Sequence, residues 1–368
     1  MRILVTGSQG FIGKNLIVRL RHEGIHQIET FDRNNESQDL SEMVESSDMV
    51  FHLAGVNRPK NDEEFDTVNN QFTKKLCEEL AKTNRQIPII FTSSTQATLE
   101  NPYGKSKLLG EQTIEEYAKS TGSNIHIFRL TNVFGKWSKP NYNSVVSTFC
   151  HNIANGLPIS IDEPNKLLRL IYIDDVIESF LDIVNTKDHD VLDIGPVYEI
   201  KLGELAELIS SFEKNRDISY VDDVGAGLTR ALYSTYLSYF DPNKFSYKLD
   251  LNTDDRGGFS EFLKTKSSGQ ISFFTINPGY TRGGHYHHTK NEKFLVIQGK
   301  AKFRFRNIIN DEIYEYDVSS DLLEVVETIP GWAHDISNQT DKKTIVLLWA
   351  NEIFDSDKPD TYSSNLEI

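Results

Sequence analysis

Three glycines at a spacing of three, Gly7, Gly10 and Gly13, punctuate the opening stretch MRILVTGSQGFIG. No other feature restricts the fold as much. Ile3–Thr6 before them read as a buried β-strand, and after them the apolar period turns helical. A tight turn out of a strand needs one glycine. Backbone that approaches a pyrophosphate needs a second, and a helix packed close on its strand needs a third. The start of the helix then offers free N–H groups and a positive dipole to phosphate. Gly7, Gly10, Phe11, Ile12 and Gly13 are therefore candidates for the backbone that cradles a dinucleotide. The spacing is GxxGxxG rather than GxGxxG.

At 368 residues the chain exceeds one ordinary domain. A net charge of −15 argues against a general nucleic-acid partner, though not against a local basic pocket for phosphate. No signal peptide or membrane-length apolar run is present, so a cytoplasmic protein without membrane insertion is expected. Cys77 and Cys150 are too few and too far apart for a disulfide scaffold and read as small core residues.

Strands then alternate with helices. Asn15–Arg21 continues the first helix, and His26–Phe31 is a second strand ending at Asp32 and Arg33. Asp32 stands about twenty residues past the last glycine, where a carboxylate takes ribose hydroxyls. Arg33 is suited instead to a 2′-phosphate, so the residues alone leave NADH and NADPH open. Met49–Ala54 is a third strand, and Ala54-Gly55 begins a loop over the cofactor. Glu63–Lys82 is helical, with Phe65, Val68, Phe72 and Leu76 on one side and Asn69 placed to bond backbone near the sheet. Ile87–Phe91 is a strand, followed by Thr92, Ser93, Ser94 and Thr95.

Tyr103 and Lys107, four apart on a helix, share a face. An ammonium beside a phenol, together with a positive cofactor ring, lowers the phenol pKa, so the phenol exchanges a proton with a substrate oxygen near neutral pH. A hydroxyl at the preceding strand end would hold that oxygen.

Residues 1 to about 245 resemble the extended short-chain dehydrogenase/reductases that act on nucleotide sugars. The matching pieces are VTGSQGFIG, Asp32, Asp39-Leu40, HLAG at 52–55, FTSS at 91–94, YGKSK at 103–107, RLTNVFG at 129–135 and YIDD at 172–175. The resemblance implies Tyr103 as proton donor, Lys107 as its partner and ribose ligand, and Ser94 as the aligned hydroxyl, with Thr95 the alternative. It places Asp39, Leu40 and Ala54 with the cofactor. The run into the tyrosine, LENPYG, departs from the family, which enters by a shorter one.

Ile125–Arg129 is a strand, and Asn132 beyond its carboxyl end is a candidate border of nicotinamide and sugar. The substrate half occupies mainly residues 140–245. Ser144–Ala154 reads as a helix, Gly156–Asp162, Leu167–Ile173 and Val191–Ile194 as short strands, and Leu202–Glu213 as a helix. Arg169 is a candidate for the diphosphate, since a guanidinium makes paired phosphate contacts. Leu228–Leu237, with Tyr233 and Tyr236, is placed to cover the sugar or to pack between domains. The domain boundary is read at 245/246.

From 246 to 368 the pattern is all-β: Ile271–Ile276, Glu292–Ile297, Ala301–Ile308, Ile313–Val318, Val325–Ile329 and Lys343–Trp349 are strand-length runs broken by Gly and Pro. Within it, His285 and His287 are two apart and share a face of a strand, Glu292 opens the next strand, and His334 and Asn338 follow. Three imidazoles and a carboxylate in a barrel suit a divalent Zn, Ni, Fe or Mn ion. His288, out of phase, is expected to point outward. The run Gly279-x5-His285-x-His287-x4-Glu292-x6-Gly299 resembles the first motif of the cupin superfamily. The second is partial: Pro330-Gly331 lacks its spacer, while His334-x3-Asn338 fits. Arg282-Gly-Gly-His285-Tyr286 is also similar to a motif of cupin-type deoxysugar-nucleotide epimerases, in which the histidine is a base. His285 cannot serve as ligand and base at one nitrogen in one state. Tyr286 and Asp335 are kept without a role.

The whole chain resembles the bifunctional capsular-polysaccharide biosynthesis proteins of the CapF type, an extended α/β Rossmann-like reductase followed by an all-β cupin (jelly roll). That resemblance implies C3 epimerisation of a UDP-linked 4-keto-2-acetamido-2,6-dideoxyhexose, then reduction at C4 with NADPH to UDP-2-acetamido-2,6-dideoxy-β-L-talose, on the way to UDP-N-acetyl-L-fucosamine. It also implies a Zn2+-bearing cupin and a homodimer. Chemistry orders the steps, because reduction removes the ketone that makes C3 acidic. The alternatives are a single-activity 4-epimerase or 4-ketoreductase with a structural cupin, and a non-catalytic sugar-nucleotide sensor.

Overall fold

The structure, a computed structural model, describes residues 1–24, 27–59, 61–186, 194–217, 220–249, 252–254, 257–259, 263–265, 269–352 and 357–366. The chain begins β1 (Arg2–Thr6), α1 (Phe11–Glu23), β2 (Gln27–Phe31), α2 (Ser37–Ser46) and β3 (Met49–His52). A π-helical turn, Phe65–Gln71, runs into α3 (Phe72–Lys82). Next come β4 (Ile89–Ser94), a 3-10 turn (Thr95–Thr98), α4 (Pro102–Thr121), β5 (Ile125–Leu130) and β6 (Asn132–Phe134). They are followed by α5 (Val145–Ala154), β7 (Leu167–Tyr172), α6 (Ile173–Thr186), β8 (Val197–Lys201), α7 (Leu202–Asp217), β9 (Tyr220–Val221) and α8 (Gly227–Leu237). The rest is β: β10 (Ser246–Lys248), β11 (Asn252–Asp254), β12 (Gly257–Phe259), β13 (Lys264–Thr265), β14 (Gln270–Ile276) and β15 (Thr281–Tyr286). It ends with β16 (Glu292–Gln298), β17 (Lys300–Asn307), β18 (Ile313–Ser319), β19 (Glu324–Glu327), β20 (Trp332–Ser337), β21 (Thr344–Ala350) and β22 (Tyr362–Ser363).

By compactness the chain forms two units, Met1–Ser144 with Leu167–Ile200, and Val145–Lys166 with Lys201–Ile368. The first holds a parallel five-stranded sheet in the order β2-β1-β3-β4-β5. Both faces are covered at the centre, where β1, β3 and β4 are almost wholly buried, while the edge strand β2 is only partly so. Leu4, Val50, Ile89 and Phe91 pack with Leu40 and Val44 of α2, Leu76 and Leu80 of α3, and Ile114 and Tyr117 of α4. Phe51 and Phe128 meet Phe180 of α6 on the other face. A doubly wound sheet of this kind opens its binding crevice at the carboxyl ends of the strands.

The second unit holds two antiparallel five-stranded sheets, β10-β19-β16-β21-β14 and β18-β17-β20-β15-β22. Each strand-length run named from the sequence is there. Compactness joins α5, α7 and α8 to these sheets for identifiable reasons. The ammonium of Lys244, in the turn after α8, reaches the carbonyl of Ala154. Arg216 of α7 pairs with Glu327 of β19 at 2.9 Å. Ser234 of α8 donates to the carbonyl of Thr289 at 3.0 Å. Tyr233 and Tyr236, read as covering the sugar or packing between domains, are buried against Phe212. Two other sequence readings change. Residues 156–162 form no strand, and His288 is buried between Tyr286 and Tyr362, because β22 covers the side on which it points. The run 191–193 lies outside the described residues.

Candidate active site and metal-ligand cluster

The glycine turn follows β1. Gly7 has φ +72°, and a Cβ there would meet Ala54 N at 2.7 Å, so the turn and the loop after β3 touch through backbone. At Gly13 a Cβ would meet Ser8 Cα at 2.9 Å, which sets how closely α1 packs on the turn. Gly10 is the N-cap of α1 and makes no side-chain cap. The first-turn N–H groups of Phe11, Ile12 and Gly13 therefore have no intrahelical acceptor. At the end of β2 the Asp32 carboxylate accepts from the Ser8 hydroxyl and from Gln9 N at 3.3 Å, and Arg33 beside it is exposed. Asp39 closes a capping box on α2, and the Leu40 side chain lies in the core, so only its backbone is left to face a cofactor.

The run LENPYG is explained by helix initiation. Asn101 caps α4 through Gly104 N at 2.7 Å, with Pro102 in the first turn. A Cβ on Gly104 would meet Leu99 O at 2.6 Å, so this glycine lets α4 start directly on the 3-10 turn. That places Tyr103 beside Ser94. Ser94 is buried at the end of β4 and accepts from Gln96 N at 3.2 Å, whereas Thr95 is exposed. Burial pushes the Tyr103 phenol above its ordinary value, and its hydrogen bond with Ser94 opposes the shift. Lys107, fully buried, donates to Thr92 O at 2.9 Å and lies over the Phe91 ring. Burial lowers its ammonium to about 8, with Glu111 opposing. Glu111 is itself engaged by Arg129 at 2.6 Å and by Ser93.

Asn69, in the π-helical turn, accepts from Val56 N at 2.7 Å and donates to Val56 O at 2.9 Å and Ser106 Oγ at 3.0 Å. It therefore ties the loop after β3 to the helix that carries Tyr103 and Lys107. A Cβ on Gly55 would meet Lys107 Nζ at 3.0 Å and Asn69 Oδ1 at 3.2 Å. His52 bonds Thr6 and Thr73, each at 2.8 Å, and burial lowers it to about 3, so it is a neutral strut. Asn132 donates to Arg169 O at 3.0 Å, bringing the two substrate candidates together through backbone. The Arg169 guanidinium lies 3.5 Å from Glu199 and borders a cavity of about 450 Å³ that Tyr103 and Lys107 do not line.

In the second unit the ligand atoms of His285, His287, Glu292 and His334 all lie within 4.8 Å of one another. His285 sits near the end of β15, in register with His334 of β20. His287 lies just past β15, and Glu292 begins β16. His287 Nε2 is 3.0 Å and His334 Nε2 3.4 Å from Glu292 Oε2. Burial and the neighbouring imidazoles lower His285 to about 3, and burial lowers His334. Burial works against Glu292 ionising, but His287 and His334 hold it as a carboxylate. Apart from that 3.4 Å approach to Glu292, the side-chain nitrogens of buried His334 are left without a well-formed hydrogen bond among the described residues. Three imidazoles, two of them disfavoured as cations by burial, and a carboxylate suit a borderline divalent cation. Phe294 and Phe305 pack against His334 beneath. Asp335 is taken by Arg304 at 2.6 Å, Tyr286 packs at a tilt on Tyr362, and Asn338 bonds the carbonyls of Ile276 and Lys342.

Sequence reasoning missed Asp360. Its carbonyl oxygen accepts from His287 Nδ1, and its carboxylate accepts from the backbone of residues 288–290. An aspartate 68 positions beyond Glu292, one of three in the run 355–360, carries no signal in the sequence.

The model of the NAD-dependent epimerase/dehydratase family matches residues 3–195, and that of the polysaccharide biosynthesis C-terminal domain matches 252–362. A Pseudomonas aeruginosa protein named UDP-2-acetamido-2,6-beta-L-arabino-hexul-4-ose reductase is 48% identical over 100% of this chain and 99% of its own. The crystal structure of the capsular polysaccharide assembling protein CapF from Staphylococcus aureus matches with 42% identity and a TM-score of 0.68, covering 99% of this chain and 100% of that one. The dTDP-4-dehydro-6-deoxyglucose reductase of Escherichia coli is 26% identical over 60% of this chain and 85% of its own.

Proposed function

The chain belongs to the NAD-dependent epimerase/dehydratase family, in the form that carries a polysaccharide-biosynthesis C-terminal domain, and from that premise we propose that it reduces the 4-keto group of a UDP-linked sugar. The observation that carries this is the convergence of Ser94, Tyr103 and Lys107 at the carboxyl end of β4, in a chain matched end to end by a reductase of that class. NADPH, when bound, supplies the hydride. Tyr103 gives its proton to the C4 oxygen, which Ser94 holds by hydrogen bond. Lys107, one helical turn along α4, would favour the phenolate left by that transfer once a cofactor fills the site. Arg33, exposed next to Asp32, favours NADPH over NADH.

The finer reading adds an earlier step in the second unit. The substrate is then a UDP-4-keto-2-acetamido-2,6-dideoxyhexose. The C3–H bond breaks, its electron pair passes into an enolate with the C4 carbonyl, and a proton returns on the opposite face. His285, His287, Glu292 and His334 would hold a divalent cation, Zn2+ by the cupin resemblance, and such an ion supplies an electrophile for developing oxyanion charge. Reduction then gives the UDP-2-acetamido-2,6-dideoxy-β-L-talose of the route to UDP-N-acetyl-L-fucosamine. The same resemblance carries the expectation of a homodimer. One observation favours a second role for His285: it alone of the four is half-buried, as a base that meets substrate must be.

The test is incubation with the UDP-4-keto sugar in D2O, with and without NADPH. Deuterium at C3 without NADPH, lost in Glu292→Gln, together with NADPH oxidation lost in Tyr103→Phe, is expected. Reduction without exchange leaves a ketoreductase with a structural β-domain. Neither activity leaves a sugar-nucleotide sensor. A His285→Ala chain that keeps its metal but loses exchange makes His285 the base, whereas loss of metal makes it a ligand.

A further inference from the structure

The stretch joining His287 to Glu292 supplies two of the four clustered ligands, yet it belongs to no strand between Tyr286 and Glu292. Something outside the sheet must hold it. Four contacts come from one side chain: the Asp360 carboxylate accepts from His288 N at 2.9 Å, Thr289 N at 2.6 Å, Lys290 N at 2.7 Å and Thr289 Oγ1 at 2.8 Å. The same residue's carbonyl oxygen accepts from His287 Nδ1. Two residues on, Tyr362 and Ser363 pair with Tyr286 and His285, and Ser364 N donates to Gly284 O at 2.8 Å. Asp360 thus starts a strap that runs back along the strand bearing the first ligand.

We infer that Asp360 is a positioning residue for the metal centre, its carboxylate fixing the loop and its carbonyl fixing the tautomer and angle of the His287 ring. This rests on the metal reading above. A carbonyl can only accept, so His287 carries a proton on Nδ1, which leaves Nε2, on the side of Glu292 and His334, as the nitrogen that would face a metal ion. The carboxylate is what keeps that carbonyl in place. Lengthening the side chain by one methylene moves the carboxylate away from three converging N–H groups, so glutamate does not substitute fully.

The test uses the full chain with Zn2+ and, separately, Co2+ as probes, in Asp360→Ala, Asp360→Asn and Asp360→Glu. Outer-shell partners of a metal-bound histidine are typically worth about 10–100-fold in affinity. The expectation is a Zn2+ dissociation constant raised about 10–100-fold in Asp360→Ala, less in Asp360→Asn, and least in Asp360→Glu. The visible spectrum of the Co2+ form shifts in the same order, while NADPH binding and the circular dichroism spectrum stay those of the parent. Nitrogen-15 shifts of the His287 ring in the Zn2+-loaded parent report a protonated Nδ1, which needs no variant to fold. Unchanged affinity and Co2+ spectrum in a folded Asp360→Ala overturn the assignment, as does an Nε2–H tautomer in the parent. A parent that binds no stoichiometric metal overturns the metal reading instead.

Discussion

His285 and His334 stand opposite each other in the β15–β20 register, with ring centroids 4.8 Å apart. The register reaches that pairing through a bulge between Gly283 and His285. Without the extra residue, the alternation of the strand would carry His285 to the other face of the sheet.

Gly283 is therefore expected to matter beyond its size. It has φ +100°, and a Cβ would meet Asp335 Cα and His334 O, both at 2.9 Å. Gly283→Ala should destabilise the protein by about 1–3 kcal/mol and weaken Zn2+ binding. Denaturant unfolding of the metal-free protein and a competitive metal titration check both. Unaltered metal affinity would show that the bulge does not set the ligand geometry.

Tyr103→Phe keeps the ring against Phe65 and removes only the hydroxyl. Loss of a positioned proton donor costs about 10²–10⁴-fold in kcat, and NADPH affinity should stay within about twofold of the parent, a margin well under 1.4 kcal/mol. Stopped-flow NADPH oxidation with the keto-sugar nucleotide, beside a cofactor titration, separates the two effects.

Lys107 carries a pH signature. Burial lowers it from 10.5 to about 8, so between those values the folded chain binds fewer protons than the unfolded one. Its destabilising cost is complete below pH 8 and disappears as pH rises to 10.5. Relative to Lys107→Met, the parent should gain up to about 3 kcal/mol over that window. Urea unfolding of both proteins at pH 7, 8.5 and 10 measures the slope, and parallel curves would refute it.

Glu327 is buried between Lys293 at 2.6 Å and Arg216 at 2.9 Å. Glu327→Gln leaves Lys293 buried without its counter-charge and should cost about 3–5 kcal/mol. The double change Lys293→Met with Glu327→Met should recover most of it. Thermal and urea melts of the three proteins decide.

The sheet and both sites were legible where local chemistry repeats at short range. The glycine spacing and the Tyr103–Lys107 interval each place their groups within about one turn, and the His285–His287–Glu292 run places its three within eight residues that span the end of β15, a loop and the start of β16. What escaped depends on distant chain. The burial of His288 and the hold on His287 come from residues 360–362, some seventy positions away. A strand was read at His285 and His287, but β15 stops at Tyr286, and neither its range nor β20 was named because glycines, a bulge and polar ligands break their alternation. Residues 145–166 and 201–245 read as part of the reductase by resemblance, yet Arg216 and Ser234 bond to the β-sheet unit, and no periodicity announces that.

The π-helical turn at Phe65–Gln71 acts as a phase shifter. Closing bonds from i to i+5 absorbs one residue more than an α-helical turn, an offset of about 100°. One continuous rod can therefore serve two clients that a uniform helix would leave out of step. Within the turn, Phe65 and Asn69 address the Tyr103 ring and the Val56 backbone; downstream, Leu76 and Leu80 address the sheet. Deleting a single residue there would keep every hydrophobic side chain in the rod yet rotate one half out of alignment with the other.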